Sequence, residues 1–149
     1  MERKPQLVLF FCAVACMGIA FGVHETVFNN FLADTYQMKA DTRGQLEFPR
    51  ELPGFLVVVT AAILSQLAVT HLAVVGALTF AVGMAGIAIW GGHYGIMIAM
   101  MMIGSTGLHL LQVVRSSLVL GLSDPEKRGR RMGQAEAFGT IGTLIGTGA

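Results

Sequence analysis

Across residues 52–114 the chain runs for 63 positions without a single Asp, Glu, Lys or Arg. No soluble domain displays so long an uncharged run, whereas a lipid bilayer accepts it when the backbone hydrogen-bonds to itself as helix. Residues 5–24 form a second charge-free interval. The composition agrees: 54% of the 149 residues are hydrophobic and 13% charged, where an ordinary soluble domain carries about 25% charged residues. A formal net charge of +1, with no basic face interleaved with aromatics, sets nucleic acid aside as a partner.

A hydrocarbon core about 30 Å thick takes roughly 20 helical residues to cross. Cutting the chain at its polar and glycine-rich breaks predicts an all-α, polytopic transmembrane bundle. Its helices cover about 5–36, 45–69, 72–90 and 95–122, four spans in all, followed by a partial fifth over 132–149. The breaks are Thr70-His71, Gly91-Gly92-His93-Tyr94-Gly95, and the polar run from Ser123 to Arg131. The fifth segment stops at Ala149 without a cap, a flanking charge or an aromatic anchor, as expected of an interrupted chain.

Cations set the orientation. Arg3 and Lys4 precede the first span, and Lys127, Arg128, Arg130 and Arg131 follow the fourth, so the positive-inside rule places the N-terminus in the cytoplasm. Lys39, Arg43 and Arg50 then fall in the outer connection, accompanied by Asp34, Asp41, Glu47 and Glu51. Glu2-Arg3-Lys4 before an apolar run has the outline of a signal peptide. The apolar stretch continues past Cys16 without turning polar, which favours an uncleaved first span. Cys12 and Cys16, four apart on one helix, are expected to be two buried free thiols, since helix geometry opposes a disulfide between them.

Ionisable groups within a membrane helix cost a few kcal/mol and are candidates for function. Gly18, Gly22, Glu25, Asn29 and Tyr36 share one stripe if the first helix continues through its polar half, with Asn30 beside them. If the helix stops at His24, Glu25, Asn29 and Asn30 are an outer boundary. In the fourth span Ser105, His109, Gln112 and Ser116 form a second stripe, flanked by Arg115. The Arg115 guanidinium either faces a cavity, meeting an anionic substrate or the carboxylate of Glu25, or snorkels to the edge. Arg43, Glu47, Arg50, Glu51 and Gly54 make a face of alternating charge at the mouth of the second span, with Pro49 and Pro53. It reads as a gate or as a solvated, self-neutralised turn of helix.

The remaining motifs point away from other chemistries. No phosphate loop, His-Glu-x-x-His or nucleophile elbow occurs, so no enzyme is expected. Four histidines without convergent spacing or a Cys-x-x-Cys-His site, and methionines at 97, 100, 101 and 102 spread around a helix, give no cofactor and no metal. The echo of Gly22-Val23-His24 in Gly107-Leu108-His109 does not extend to the polar face and is no repeat.

Taken together these features resemble the amino-terminal part of a major facilitator superfamily transporter. The likeness lies in a long first helix with a polar second half, a Pro/Gly-bearing second helix, a short third, a fourth with Arg115, and a basic 4-to-5 connection. It extends to Arg128-Gly129-Arg130-Arg131-Met132-Gly133-Gln134-Ala135 and to Gly139, Gly142, Gly146 and Gly148. Gly142 and Gly146 have the spacing that permits close helix approach on physical grounds alone. Where that family carries a Gly, Asp and Arg-rich 2-to-3 connection, this chain has Ser65-Gln66-Leu67-Ala68-Val69-Thr70-His71.

The resemblance implies two six-helix halves and alternating access, with Glu25, Asn29, Asn30, His109, Gln112 and Arg115 facing the pathway. The expectation is thus a secondary active transporter of a small, anionic solute, coupled to protons through Glu25. It would lie in the plasma or inner membrane and be completed by further helices of the same protein. Two other readings stay open: a small membrane protein that self-associates through the glycine face of its last segment, and a membrane redox subunit.

Overall fold

The computed structural model describes residues 4–63 and 66–149. Among these residues the chain is helical and has no strand. It comprises α1 (Lys4–Tyr36), α2 (Ala40–Ile63), α3 (Val69–Trp90), α4 (Tyr94–Leu122) and α5 (Arg128–Thr147), with a 3-10 turn at Pro125–Lys127 leading into α5. Three of the five, α1, α3 and α4, are long and apolar enough to cross a membrane. Such helices are compatible with a multi-pass membrane protein.

The other two fall short for reasons visible in their residues. α2 has only 12 described residues after its last charge, Glu51, and so no uncharged run of membrane length; α5 carries Arg128, Arg130, Arg131 and Glu136. The second helix ends at Ile63, short of the expected 69, and Leu64 and Ser65 lie outside the described residues. α3 starts at Val69, three residues before the expected 72. Thr70 and His71 therefore belong to its first turn, where polar residues are tolerated because the first N–H groups have no helical partner. α5 begins at Arg128 instead of Met132, because Pro125 opens a turn that runs straight into it and makes helix of the basic run.

α1 settles the choice between a short and a long first helix. It is one unbroken helix of 33 residues, about 50 Å at 1.5 Å per residue, so Glu25, Asn29 and Asn30 are helical. It ends where Gln37 takes a left-handed backbone, φ 51°.

The chain divides into two compact units. One holds α1 as far as Asp34 together with Arg115–Ala149; the other is Thr35–Val114. In the first, α1 and α5 run parallel and touch through small residues. A Cβ added to Gly18, Gly22, Gly142 or Gly146 would come within 3.0 Å of a backbone carbonyl oxygen on the facing helix, of Gly139, Thr143, Ala15 and Ile19 respectively. Leu7 and Phe11 of α1, Val119 of α4 and Ala135 of α5 close a small apolar core at one end. Phe11 stacks on Phe138 with ring centroids 5.2 Å apart.

In the second unit α3 and α4 run antiparallel. Gly83 meets the backbone of Gly104, and Gly107 meets the backbone of Gly76 and Phe80. Met97 and Met101 are buried, and Met100 lies over Gly86, so these methionines fill gaps between helices. The hydroxyl of Tyr36 donates to the carbonyl of Gly91, fixing the end of α1 to the turn between α3 and α4.

Candidate functional site

Among the described residues, ionisable side chains bridge helices in each unit. In the Thr35–Val114 unit they adjoin the prolines of α2. Pro53 has no N–H to offer the carbonyl of Pro49, and α2 nevertheless runs unbroken from Ala40 to Ile63. Ser105 of α4 donates its hydroxyl to the carbonyl of Arg50. One turn further along α4, the His109 imidazole lies flat against Gly54. A Cβ there would sit 2.8 Å from Cε1, 2.9 Å from Nε2 and 3.1 Å from Nδ1. Glycine at 54 is what lets the ring reach α2.

Glu51 lies one turn before Gly54 on the same face, and its two oxygens have different neighbours. Oε2 is 3.5 Å from His109 Nε2, while Oε1 is 3.7 Å from Arg50 Nε. The Arg50 guanidinium is shared, since Nη1 is also 3.4 Å from Glu47 Oε1. Glu51 retains 46% of its side-chain surface and His109 16%, so the carboxylate is open on one side and the imidazole is mostly enclosed. A carboxylate and an imidazole in this arrangement can take up and release a proton.

In the other unit Arg115 of α4 forms an ion pair with Glu136 of α5. The guanidinium passes over Gly139, where an added Cβ would stand 3.2 Å from Nη1. The pairing corrects the expectation that Glu25 neutralises Arg115. Glu136 sits one turn before a glycine that clears the way, and the arginine stem spans to the neighbouring helix and does not snorkel out alone. Glu25 instead lies 3.9 Å from Nε2 of the adjacent His24, whose ring stacks on Phe28.

The expected stripe of four on α4 does not act as one. Ser105 and His109 turn to α2, Gln112 is exposed, and Ser116 belongs with Arg115 in the other unit. On α1 Asn29 is half-buried and Asn30 exposed. Arg43 is half-buried on α2, one turn before Glu47, and the charged face of Arg43, Glu47, Arg50 and Glu51 is drawn to α4 through His109. Cys12 and Cys16 are free, and both are exposed where burial was expected. Among the described residues no three His, Cys, Asp or Glu side chains converge as metal ligands. The glycine face of α5 that self-association would need is covered by α1 of the same chain.

Glu136 was missed in the sequence because the last segment was read only for its glycines. The signal was present: an arginine within an apolar helix calls for a carboxylate, and Glu136 precedes a small residue by one turn. The Glu51–His109 pair joins two stripes that sequence periodicity treats separately. No family model, characterised protein or solved structure matches this chain.

Proposed function

We propose that the chain is the amino-terminal part of a secondary active transporter of the major facilitator type, moving a small anionic solute by alternating access. The observation that carries this reading is where the ionisable pairs fall. Glu51, the last charge before the apolar run of α2, reaches His109, the 16th of 29 residues of α4. A carboxylate is thus brought against an ionisable group within a helix of span length, and ionisable groups in such helices are retained for ion and substrate pathways. In this reading α2 crosses the membrane as a fourth span beside α1, α3 and α4, and α5 begins the next three-helix repeat. The N-terminus is cytoplasmic, the membrane is the plasma or inner membrane, and further helices of the same protein complete the cavity. The chain performs no covalent chemistry.

Arg115 supplies the anion contact. In the paired state Glu136 satisfies the guanidinium. An anionic solute takes the place of that carboxylate when α4 and α5 separate, so that the guanidinium always has an anionic partner. Glu25 and Asn29, in the polar half of α1, line the route.

Proteoliposomes made from the complete reading frame should take up an anionic solute with saturable kinetics. Arg115→Gln should abolish uptake, and Arg115→Lys should recover part of it. The 149-residue chain alone should give no saturable uptake. Uptake by the complete protein that survives Arg115→Gln unchanged, or uptake by the 149-residue chain alone, would overturn the reading.

A further inference from the structure

We infer that Glu51 and His109 form a one-proton latch between α2 and α4, closed when the imidazole is protonated and open when it is neutral. As a coupling device this rests on the transporter reading; as a property of the α2–α4 contact it stands alone. The geometry is that of a pair whose attraction depends on a proton. His109 Nε2 and Glu51 Oε2 are 3.5 Å apart, a separation at which an imidazolium and a carboxylate attract strongly when partly enclosed. A neutral imidazole at the same distance holds the carboxylate far more weakly.

His109 is the titratable group that α4 brings to this carboxylate. Arg50 divides its guanidinium between Glu47 and Oε1 of Glu51. Arg43 adds a further cation to the same α2 face, a turn beyond Glu47. α3 carries one ionisable residue, His71 in its first turn, and the portion of α1 in this unit carries Tyr36. On α4 the Ser105 hydroxyl is engaged with the Arg50 carbonyl. The neutral tie from Ser105 persists at any pH, so the helices remain neighbours while the latch beside it opens and closes. Gly54 lets the ring lie close enough for this. Proton uptake therefore changes the hold between two helices without dismantling their contact, and the proton is the coupling ion this site fits.

The test uses the 149-residue chain in mild detergent, with thermal unfolding of the wild type, Glu51→Gln, His109→Gln and the double variant at pH 5 and pH 8. At pH 5 each single change should lower Tm by about 3 °C and the double change by no more than either alone, as for about one kcal/mol of coupling in a chain of this size. At pH 8 the two changes should be additive. Equal non-additivity at both pH values, or none at either, would overturn the latch. Should a variant not fold, 15N-histidine NMR of the wild-type chain decides: the His109 ring must be doubly protonated at pH 5 and a single neutral tautomer at pH 8. One unchanging form across that range refutes the proposal. Because no uptake is measured, failure here leaves the transporter reading standing with a different coupling ion, and absence of transport leaves the latch standing.

Discussion

The two units build a helix pair from glycine in different ways. In the unit of α1 and α5, Gly18, Gly22, Gly142 and Gly146 all face backbone atoms of the other helix, which cannot rotate aside as a side chain can. In the unit of α3 and α4, Gly83 and Gly107 also face backbone. Toward the ends of that pair, however, Gly86 meets the thioether of Met100 and Gly76 meets the side chain of Leu111. Association of helices in a bilayer relies on van der Waals fit, since lipid tails are as apolar as the side chains they replace. The four glycines of the first pair thus have main chain against them, whereas the second pair mixes main-chain contacts with flexible side chains, Met84 at Gly104, Met100 at Gly86 and Leu111 at Gly76.

Substitutions separate the two kinds of contact. Gly142→Leu, which drives a side chain into the carbonyl of Ala15, should have the largest effect, at or above the ~3 kcal/mol end of the overpacking range. The check is loss of the cooperative unfolding transition in detergent. A variant as stable as the wild type would show that α1 and α5 have freedom to part.

A smaller effect is expected at the ion pair that ties α4 to α5. Glu136 keeps 59% of its side-chain surface and Arg115 29%. Solvent screening then limits the loss on Glu136→Gln to about 1 kcal/mol or less, and the loss should shrink further as salt is raised. Gly86→Ala should have the least consequence. Met100 can turn its flexible chain aside, and the helix propensity gained by alanine, up to about 1 kcal/mol, offsets the disturbance. A measured loss as large as that for Gly142→Leu would erase the distinction between the two pairs.

The helices legible in the sequence were those bounded by strong local signals. α1 and α4 match their expected limits to within one residue because long apolar runs meet polar or glycine-rich ends. Thr70 and His71 have the polarity of a loop yet lie in the first turn of α3, which accommodates polar residues. The basic residues 128–131 likewise form the first turn of α5. Of the candidate site, the stripe carrying Ser105 and His109 was visible as periodicity on one helix. Its partners Arg50, Glu51 and Gly54 were visible as a face on another, but nothing local says which two faces meet. The pairing of Arg115 with Glu136 is likewise a matter of which helix lies alongside, and that is decided by the glycines at 139, 142 and 146 acting with Gly18 and Gly22.

The hydroxyl of Ser105 is tied to the main chain of residue 50, not to its side chain. The fastening is thus indifferent to which amino acid occupies that position. Natural variation there is free to retune the local charge, exchanging arginine for lysine or a neutral group, while the join survives. The vulnerability passes wholly to residue 105, where alanine cuts the join in one step.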